Sequence, residues 1–274
     1  MELAVVIVVK DNPNGLSRTI DSLQGILKDV SIIFVTPSDN SATHMLANHF
    51  TKSIRNSVLL EDDGLGIYPA MNKALSVVGD ETWVWFLNAE DELYSEISFQ
   101  TLMIELAQTH SSSLWAFCGY SLYESDETFI EERKAPDFFS IKNQLYARTF
   151  ISHQATIVKN KLLKMLGGFD TKLQIAADWD IFCRMNNISK PIRIDIILTK
   201  FKLGGLSSLK RNKGNFELLL LRYRYLSKIS QFYSVYWFIY RVFRNATLSI
   251  LEQVSPSLVK KIRKFRSQLR GVFA

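Results

Sequence analysis

Residues 64–93 read GLGIYPAMNKALSVVGDETWVWFLNAEDEL, and this stretch decides the fold. Its apolar run at 83–87 combines aromatic and β-branched side chains, which predicts a strand buried on both faces, as in a parallel sheet. The run ends at Asn88, and Glu90, Asp91 and Glu92 follow. Ligands of open α/β sheets bind at the carboxyl ends of strands, and hard divalent cations prefer carboxylate oxygens. The pattern therefore predicts a cation site, with a solvated acidic turn as the alternative.

The segments before this stretch predict a strand–helix–strand unit. Residues 4–9 are a β-branched run typical of a buried strand, and NPNG at 12–15 ends it. Apolar residues at helical spacing follow between 16 and 27, and residues 32–35 form a second apolar run. Further strands are predicted at 58–60 and 192–201, and a hairpin at 114–132. Strands that alternate with helices in this way predict an α/β fold with parallel pairing.

Two successive motifs in the sequence resemble those of the family 2 glycosyltransferases. GIYPAMNKAL at 66–75 is similar to a GIYDAMNKG-like segment of that family, and WFLNAED at 85–91 is similar to a strand that ends in LNADD. The resemblance covers residues 1–207. It implies a GT-A fold, which has a Rossmann-like, mostly parallel central sheet with flanking helices. It also implies a nucleotide-sugar donor, a divalent metal (Mn²⁺ or Mg²⁺) and inversion of the anomeric centre.

The resemblance also assigns roles around the acidic cluster. Glu90 and Asp91 match the acids that hold the metal in this family, and we expect both in a loop outside the core. Asn88, just before them, is expected to contact the donor. Asn72 lies on a helix that packs beneath the nucleotide-sugar in the family. We expect Asn72 to face the donor or to cap a loop.

Two acids are candidates for contacts with the nucleotide. Family members usually carry an acid after the second strand that helps to hold uridine, but this chain has Thr36 there, in the loop TPSDNSAT at 36–43. Asp39 is the only acid in that loop. Asp11, at the end of the first strand, is the second candidate for contacting the base or the ribose, with a capping or turn role as its alternative. A UDP-sugar is the expected donor.

The candidate catalytic base lies in residues 167–185, GGFDTKLQIAADWDIFCRM. A helix is predicted from residue 176, and Asp180 precedes Arg184 by four residues, which predicts an ion pair on one helix face. Asp178 has no such partner. The resemblance implies that Asp178 is the base, because the base of the family lies in an AEDWD-like segment. A helix-capping role is its alternative.

His153 precedes another predicted strand in ISHQATIV at 151–158. We expect it to contact phosphate or the acceptor, or to orient the metal, with a bond to a backbone carbonyl as the alternative. GGLS at 204–207 resembles the closing loop of the family. Lys210 and Arg211 come soon after it and are expected to bind the donor diphosphate, with the start of a basic tail as the alternative.

The charge of the chain is divided unevenly. Residues 1–200 carry 18 Lys and Arg against 25 Asp and Glu, whereas residues 201–274 carry 15 against 2. The apolar segments of the second part are interrupted by arginines, which argues against a transmembrane helix. We therefore expect a GT-A domain at 1–207 and a basic, amphipathic helical tail at 208–274 that binds an anionic membrane surface. Packing of these helices on the core is the alternative, and no motif indicates nucleic acid as a partner.

These observations predict an inverting glycosyltransferase that transfers a sugar from a nucleotide-sugar to a lipid-linked saccharide during bacterial surface-polysaccharide biosynthesis. The start of the sequence, MELAVVIVVKD, reads as a first strand and not as a signal peptide. Cys118 and Cys183 stand in apolar contexts and are expected to be buried, reduced thiols. We therefore expect a cytoplasmic protein at the inner membrane face. A degenerate, non-catalytic GT-A binding protein and a nucleotidyltransferase are the alternatives.

Overall fold

The computed structural model describes residues 2–39, 41–109, 112–137, 151–204, 210–225 and 228–255. Its strands are β1 (Leu3–Val8), β2 (Ser31–Pro37), β3 (Ser57–Asp62), β4 (Trp83–Phe86), β5 (Glu92–Leu93), β6 (Trp115–Tyr123), β7 (Phe129–Arg133), β8 (Thr156–Lys159) and β9 (Ile192–Lys202). Its helices are α1 (Pro13–Ser22), α2 (Ala42–Ser53), α3 (Ile67–Leu75), α4 (Glu96–Ala107), α5 (Asn160–Met165), α6 (Ala177–Ile188), α7 (Arg211–Tyr225) and α8 (Lys228–Val254). Two 3₁₀ turns, Gln24–Ile26 and His153–Ala155, complete the described elements.

The strands form one sheet in the order β3-β2-β1-β4-β8-β6-β9-β5, with β7 paired to β6. The first four strands in this order are parallel, as the sequence predicts. Strand β8 is antiparallel to both β4 and β6, whereas β9 is parallel to β6. The predicted hairpin at 114–132 is the antiparallel pair β6 and β7. The α/β fold class predicted from the sequence is therefore confirmed.

Strand β1 shows why the sheet needs helices on both sides. Its side chains point alternately to the two faces, and both sets are buried. Val5 and Ile7 belong to a cluster with residues of α1, α2 and α4. Ala4 and Val6 belong to a second cluster with residues of α3, α5 and α6. The continuous apolar runs thus predict the layered arrangement correctly.

Strand β4 also anchors the turn that precedes β8. The Trp85 side chain is fully buried, and a buried indole N–H needs an acceptor. Trp85 Nε1 donates to the carbonyl oxygen of Gln154 at 2.7 Å. This bond fixes the 3₁₀ turn at His153–Ala155 against the central strand. Cys118 and Cys183 are buried and free, as predicted.

Helix α7 packs on the core, which was the alternative for these residues, and the division of the chain at 207/208 stays a prediction. Leu221 is 1% exposed and joins the cluster around α3 and α6. The rings of Tyr225 and Trp179 lie 6.1 Å apart. A Cβ atom on Gly214 would lie 2.9 Å from Cγ2 of Ile175, so a glycine permits this close approach. Residues 211–225 therefore belong to the folded body, because apolar contacts hold the helix on the core. The basic composition of the segment gives no sign of these contacts.

Asp180 ties α6 to α7. Its carboxylate is 1% exposed and accepts hydrogen bonds from Arg184 Nε and from Tyr225 Oη, both at 2.7 Å. The predicted ion pair between Asp180 and Arg184 is confirmed, but it is buried and extends to the next helix. Arg184 also donates to the carbonyl oxygens of Leu166 and Gly168. Asp180 is therefore a structural residue.

We expect Asp180→Asn to lower the free energy of unfolding by about 3 kcal/mol, because breaking a buried ion pair leaves Arg184 without its compensating charge. Asp195→Asn is the matched control. Asp195 pairs with Arg193 at 3.1 Å, but its side chain is 64% exposed, and an exposed pair contributes about 0–1 kcal/mol. Chemical unfolding of both variants measures the difference. Equal losses would contradict a buried network at Asp180.

We expect a chain that ends at residue 208 to be less stable than one that ends at residue 227 by at least about 3 kcal/mol. The shorter chain loses the burial of Leu221 and the hydrogen bond from Tyr225 to Asp180. Unfolding midpoints of the two truncated chains test this. Equal midpoints would mean that α7 is a separate tail.

Candidate active site

The acidic turn after β4 is held by helix α1. Glu90 adopts a left-handed backbone conformation with φ 83°, which is uncommon for a residue with a side chain. Its N–H donates to Thr19 Oγ1 at 3.1 Å, and the Thr19 hydroxyl donates to the carbonyl oxygen of Asp91 at 2.8 Å. A Cβ on Gly15 would lie 2.6 Å from Cγ of Glu90. The glycine therefore allows α1 to approach the turn and fix its conformation.

The two predicted metal ligands differ in their access to solvent. The Glu90 side chain is 35% exposed and lies 3.5 Å from Arg18. Asp91 is 4% exposed, and its Oδ1 accepts a hydrogen bond from the N–H of Lys202 at 3.3 Å. Burial raises the pKa of Asp91 to about 7, against the opposing effects of His153 and the Lys202 N–H. The expectation that both acids lie outside the core is therefore wrong for Asp91, because the strand β9 covers it.

The chemistry of these two acids fits a hard divalent cation. Mg²⁺ is commonly held by one or two carboxylates and takes its other ligands from substrate phosphates and water. Glu90 offers an accessible carboxylate, and Asp91 lies behind it with a carboxyl group whose charge is disfavoured by burial. Nearby positive charge would favour the ionised form of Asp91. Within the described ranges, however, no three His, Cys, Asp or Glu side chains converge as a metal-binding group.

Three side chains join the end of β4 to the start of α6. Asn88 Nδ2 lies 2.9 Å from His153 Nε2, and His153 Nδ1 lies 3.5 Å from Asp178 Oδ2. Because the Asn88 amide nitrogen can only donate, His153 Nε2 accepts, and a neutral ring then carries its hydrogen on Nδ1, facing Asp178. The sequence predicted these residues as separate candidates. The structure brings all three together.

Asp178 remains partly accessible while it is oriented on one side. Its side chain is 29% exposed. Its Oδ1 accepts a hydrogen bond from the N–H of Trp179 at 2.8 Å, and its Oδ2 faces His153. It lies in the first turn of α6, as predicted, whereas Asp180 is buried beneath the same helix. An accessible, oriented carboxylate at this point can accept a proton from a bound hydroxyl group.

Asn72 caps a loop, which is one of the two roles predicted for it, and its contact with the donor stays a prediction. Its Nδ2 donates to the carbonyl oxygen of Phe169 at 2.9 Å, and its Oδ1 accepts from the Phe169 N–H at 2.8 Å. A Cβ on Gly168 would lie 2.4 Å from Asn72 Oδ1. The amide therefore holds the loop that leads to α6. The sequence predicts a loop cap as one of two roles for Asn72, but it does not predict the partner, Phe169, which lies 97 residues away.

The predicted nucleotide contacts lie at the carboxyl ends of β1 and β2. Asp11 is exposed and has φ 51°. Asp39 is exposed, its Oδ1 accepts from the Ser41 N–H at 3.1 Å, and the hydrogen bonds with Ser41 lower its pKa. Thr36, at the position of the family's acid, is 1% exposed. Asp11 and Asp39 thus stand at the expected edge of the sheet, while Thr36 points into the protein.

The closing loop lies mostly outside the described residues. Gly204 is described, with φ 120°, whereas 205–209 are not. Lys210 is exposed, and the backbone of Arg211 begins α7. Their assignment to the donor diphosphate stays a prediction.

One residue of this region was missed from the sequence. Glu217 of α7 is 5% exposed and accepts three backbone hydrogen bonds from the residues that precede α6. The sequence did contain a sign of its importance, because Glu217 is one of only two acids in the basic residues 201–274.

Comparison with known proteins gives a consistent result for the family and the fold. The family model for glycosyl transferase family 2 matches residues 4–166, more than half of the chain. An uncharacterized glycosyltransferase of Mycobacterium tuberculosis is 28% identical over 149 residues, and the match spans only about half of each protein, 54% in both cases. A PGL/p-HBAD biosynthesis glycosyltransferase of Mycobacterium bovis is 24% identical over 184 residues, which are 66% of this chain and 68% of the relative.

Solved structures share the fold at low sequence identity. S. aureus TarS 1–349 in complex with UDP-GlcNAc has a TM-score of 0.63 at 12% identity, over 97% of this chain and 79% of the TarS 1–349 chain. A mannosyltransferase from Pyrobaculum calidifontis, in complex with GDP-Man and Mn²⁺, has a TM-score of 0.60 at 12% identity, over 99% of this chain and 86% of the other. The predicted similarity to GT-A glycosyltransferases is thereby confirmed at the level of the fold. With the family match over residues 4–166, the chain belongs to glycosyl transferase family 2.

Proposed function

We propose that this protein is an inverting glycosyltransferase that transfers a sugar from a nucleotide-sugar to a lipid-linked saccharide in cell-surface polysaccharide biosynthesis. One observation carries the proposal. The contacts from Asn88 through His153 to Asp178 connect the acidic turn, where a donor diphosphate would bind, with an accessible carboxylate. Inversion needs a base and a leaving group on opposite sides of the anomeric carbon, and this arrangement supplies a candidate for each side.

On the donor side, Glu90 would hold a divalent cation, Mn²⁺ or Mg²⁺, with Asp91 behind it. When bound, such a cation supplies positive charge that stabilises the departing diphosphate. Asp11 and Asp39 would contact the base or ribose, and a UDP-sugar is the donor we expect. The structural neighbours were solved with UDP-GlcNAc and with GDP-Man, so both nucleotide-sugars are suitable probes. Lys210 and Arg211 would contact the diphosphate.

On the acceptor side, Asp178 would act as the general base. Its carboxylate takes the proton of the acceptor hydroxyl while the hydroxyl oxygen forms a bond to the anomeric carbon. The bond from that carbon to the phosphate oxygen breaks, and its electron pair leaves with the nucleoside diphosphate. His153 faces Asp178 Oδ2 at 3.5 Å and would orient the carboxylate.

A non-catalytic GT-A binding protein is the second candidate. Thr36, which is buried where the family usually has an acid, favours it. The accessible carboxylates of Glu90 and Asp178 favour catalysis. A nucleotidyltransferase would need a glycine-rich phosphate loop after β1, and α1 begins there at Pro13 instead.

The direct test is release of nucleoside diphosphate from UDP-GlcNAc, other UDP-sugars and GDP-mannose in the presence of Mn²⁺. Slow transfer to water reports the activity without an identified acceptor. We expect release from at least one donor and its loss when a chelator is added. Binding of a nucleotide without release from any donor would support the non-catalytic candidate.

For the base, we expect Asp178→Asn to lower turnover roughly 10²–10⁴-fold, since the substitution preserves shape and removes basicity. The dissociation constant for the donor should change little, because Asp178 lies on the acceptor side. Asp195→Asn, an exposed carboxylate of β9, is the matched control and should keep normal turnover. Normal turnover of Asp178→Asn would remove it as the base.

The proposed location at the membrane depends on helix α8 and the basic residues after it. Tyr236, Phe243 and Ile250 of α8 are 66%, 72% and 62% exposed. Among the helices of the described part, none has the length and hydropathy needed to cross a bilayer. The most basic stretch, residues 260–270, lies outside the described residues. We propose that α8 and this stretch bind the anionic inner face of the membrane as a peripheral anchor.

We therefore expect the full chain to sediment with anionic liposomes and to be released as salt rises. The chain that ends at residue 227 should not sediment. A full-length variant with Tyr236→Ser, Phe243→Ser and Ile250→Ser should bind more weakly.

The matched control removes three exposed apolar side chains from the body, with Ile97→Ser, Ile104→Ser and Met165→Ser. These residues are 74%, 57% and 61% exposed. Equal binding by the two triple variants would contradict an anchor on α8.

A further inference from the structure

The start of α6 is capped by a side chain from another helix. Glu217 Oε1 accepts from the Gln174 N–H at 3.0 Å, and Oε2 accepts from the N–H groups of Ile175 and Ala176 at 2.9 and 3.0 Å. Ala176 is the N-cap residue of α6 and has no side chain that could supply an acceptor. A carboxylate at this place satisfies backbone donors and interacts favourably with the helix dipole.

The same short segment is held from a second side. Tyr68 of α3 donates to the carbonyl oxygen of Ile175 at 2.7 Å. Gly214 lets α7 approach within contact distance of the Ile175 side chain. Residues 174–176 are therefore fixed between α3 and α7, with Glu217 bound to three consecutive N–H groups.

Asp178 follows this segment directly. It is two residues after Ala176, so the position of its carboxylate depends on where the first turn of α6 begins. The hydrogen bond between Asp180 and Tyr225 also holds the helix, but on its buried side. Loss of the cap would free the first turn and change the distance between Asp178 and His153, which is 3.5 Å in the structure.

We propose that Glu217 is a positioning residue for Asp178, and that α7 thereby forms part of the active site. This inference rests on the proposed function, in which Asp178 is the base. Glu217 is buried and does not contact the reacting atoms. It acts by holding the backbone from which Asp178 projects.

The test uses Glu217→Gln in the full chain. The amide keeps the size of the side chain, but its nitrogen faces a backbone N–H where a carboxylate oxygen accepts, so at least one bond is lost. We expect turnover, read as nucleoside diphosphate release, to fall roughly 10–100-fold, with a nearly unchanged dissociation constant for the donor. Glu217→Asp, which keeps the charge, should recover part of the turnover. Amide hydrogen exchange at 174–176 should become faster.

A matched control separates positioning from general stability. Asn160 is fully buried and donates to the carbonyl oxygens of Leu75 and Val78, away from Asp178. Asn160→Ala should lower the melting temperature while turnover of the folded protein stays normal. Glu217→Gln should lower both.

The decisive measurement is a double-mutant cycle with Asp178→Asn. If Glu217 acts through Asp178, Glu217→Gln should cause little further loss of turnover in the Asp178→Asn protein, while its effect on melting temperature remains. The inference would be overturned if the two substitutions lowered turnover independently, so that their effects multiply. It would also be overturned if the wild-type protein were active and Glu217→Gln turned over normally. Either result would leave the proposed function intact. A wild type that releases no nucleoside diphosphate from any donor would instead overturn both.

Discussion

The burial of β4 on both faces is the constraint on which the candidate site depends. A strand so placed has room for polar side chains only beyond its ends, and Asn88 and the acidic turn follow its carboxyl end. Strand β1 pairs with β4 in parallel, so its own carboxyl end lies at the same edge. Strand β8 pairs with β4 in the opposite direction, so its beginning lies at that edge as well. His153, just before β8, meets Asn88 for this reason.

Local patterns in the sequence predict the elements that carry the site, but not all of their neighbours. The apolar runs predict β1, β2 and β4, because burial on both faces selects apolar residues at every position. The placement of His153 beside Asn88 depends on the antiparallel insertion of β8, which no local pattern encodes. The burial of Asp91 has the same origin, because β9 covers it from more than a hundred residues away. The sequence therefore predicts the strands, which depend on local residue patterns. It does not predict the burial of Asp91, which depends on a strand distant in the chain.

The carboxylates in and around the candidate site differ in their burial and in their hydrogen-bond partners. Asp180 and Glu217 are buried and have cationic or backbone donors around them. Asp91 is buried with hydrogen bonds from the Lys202 N–H and the Gln154 side chain, and burial raises its pKa. Glu90 and Asp178 remain accessible. Sequence spacing identified the pair of Asp180 with Arg184, but the basic composition of α7 concealed that its one acid, Glu217, faces inward.

The contact between Glu217 and residues 174–176 also has a consequence for the order in which the protein is made. Chains emerge from the ribosome with the N-terminus first, and their domains fold as units. The partners of Glu217 precede it by 41 to 43 residues, so a nascent chain that already contains Asp178 still lacks the carboxylate that caps its helix. The sheet around β1, β2 and β4 can form before that point. Under the roles proposed for Asp178 and Glu217, a chain that ends before α7 would therefore lack the contact that positions the base.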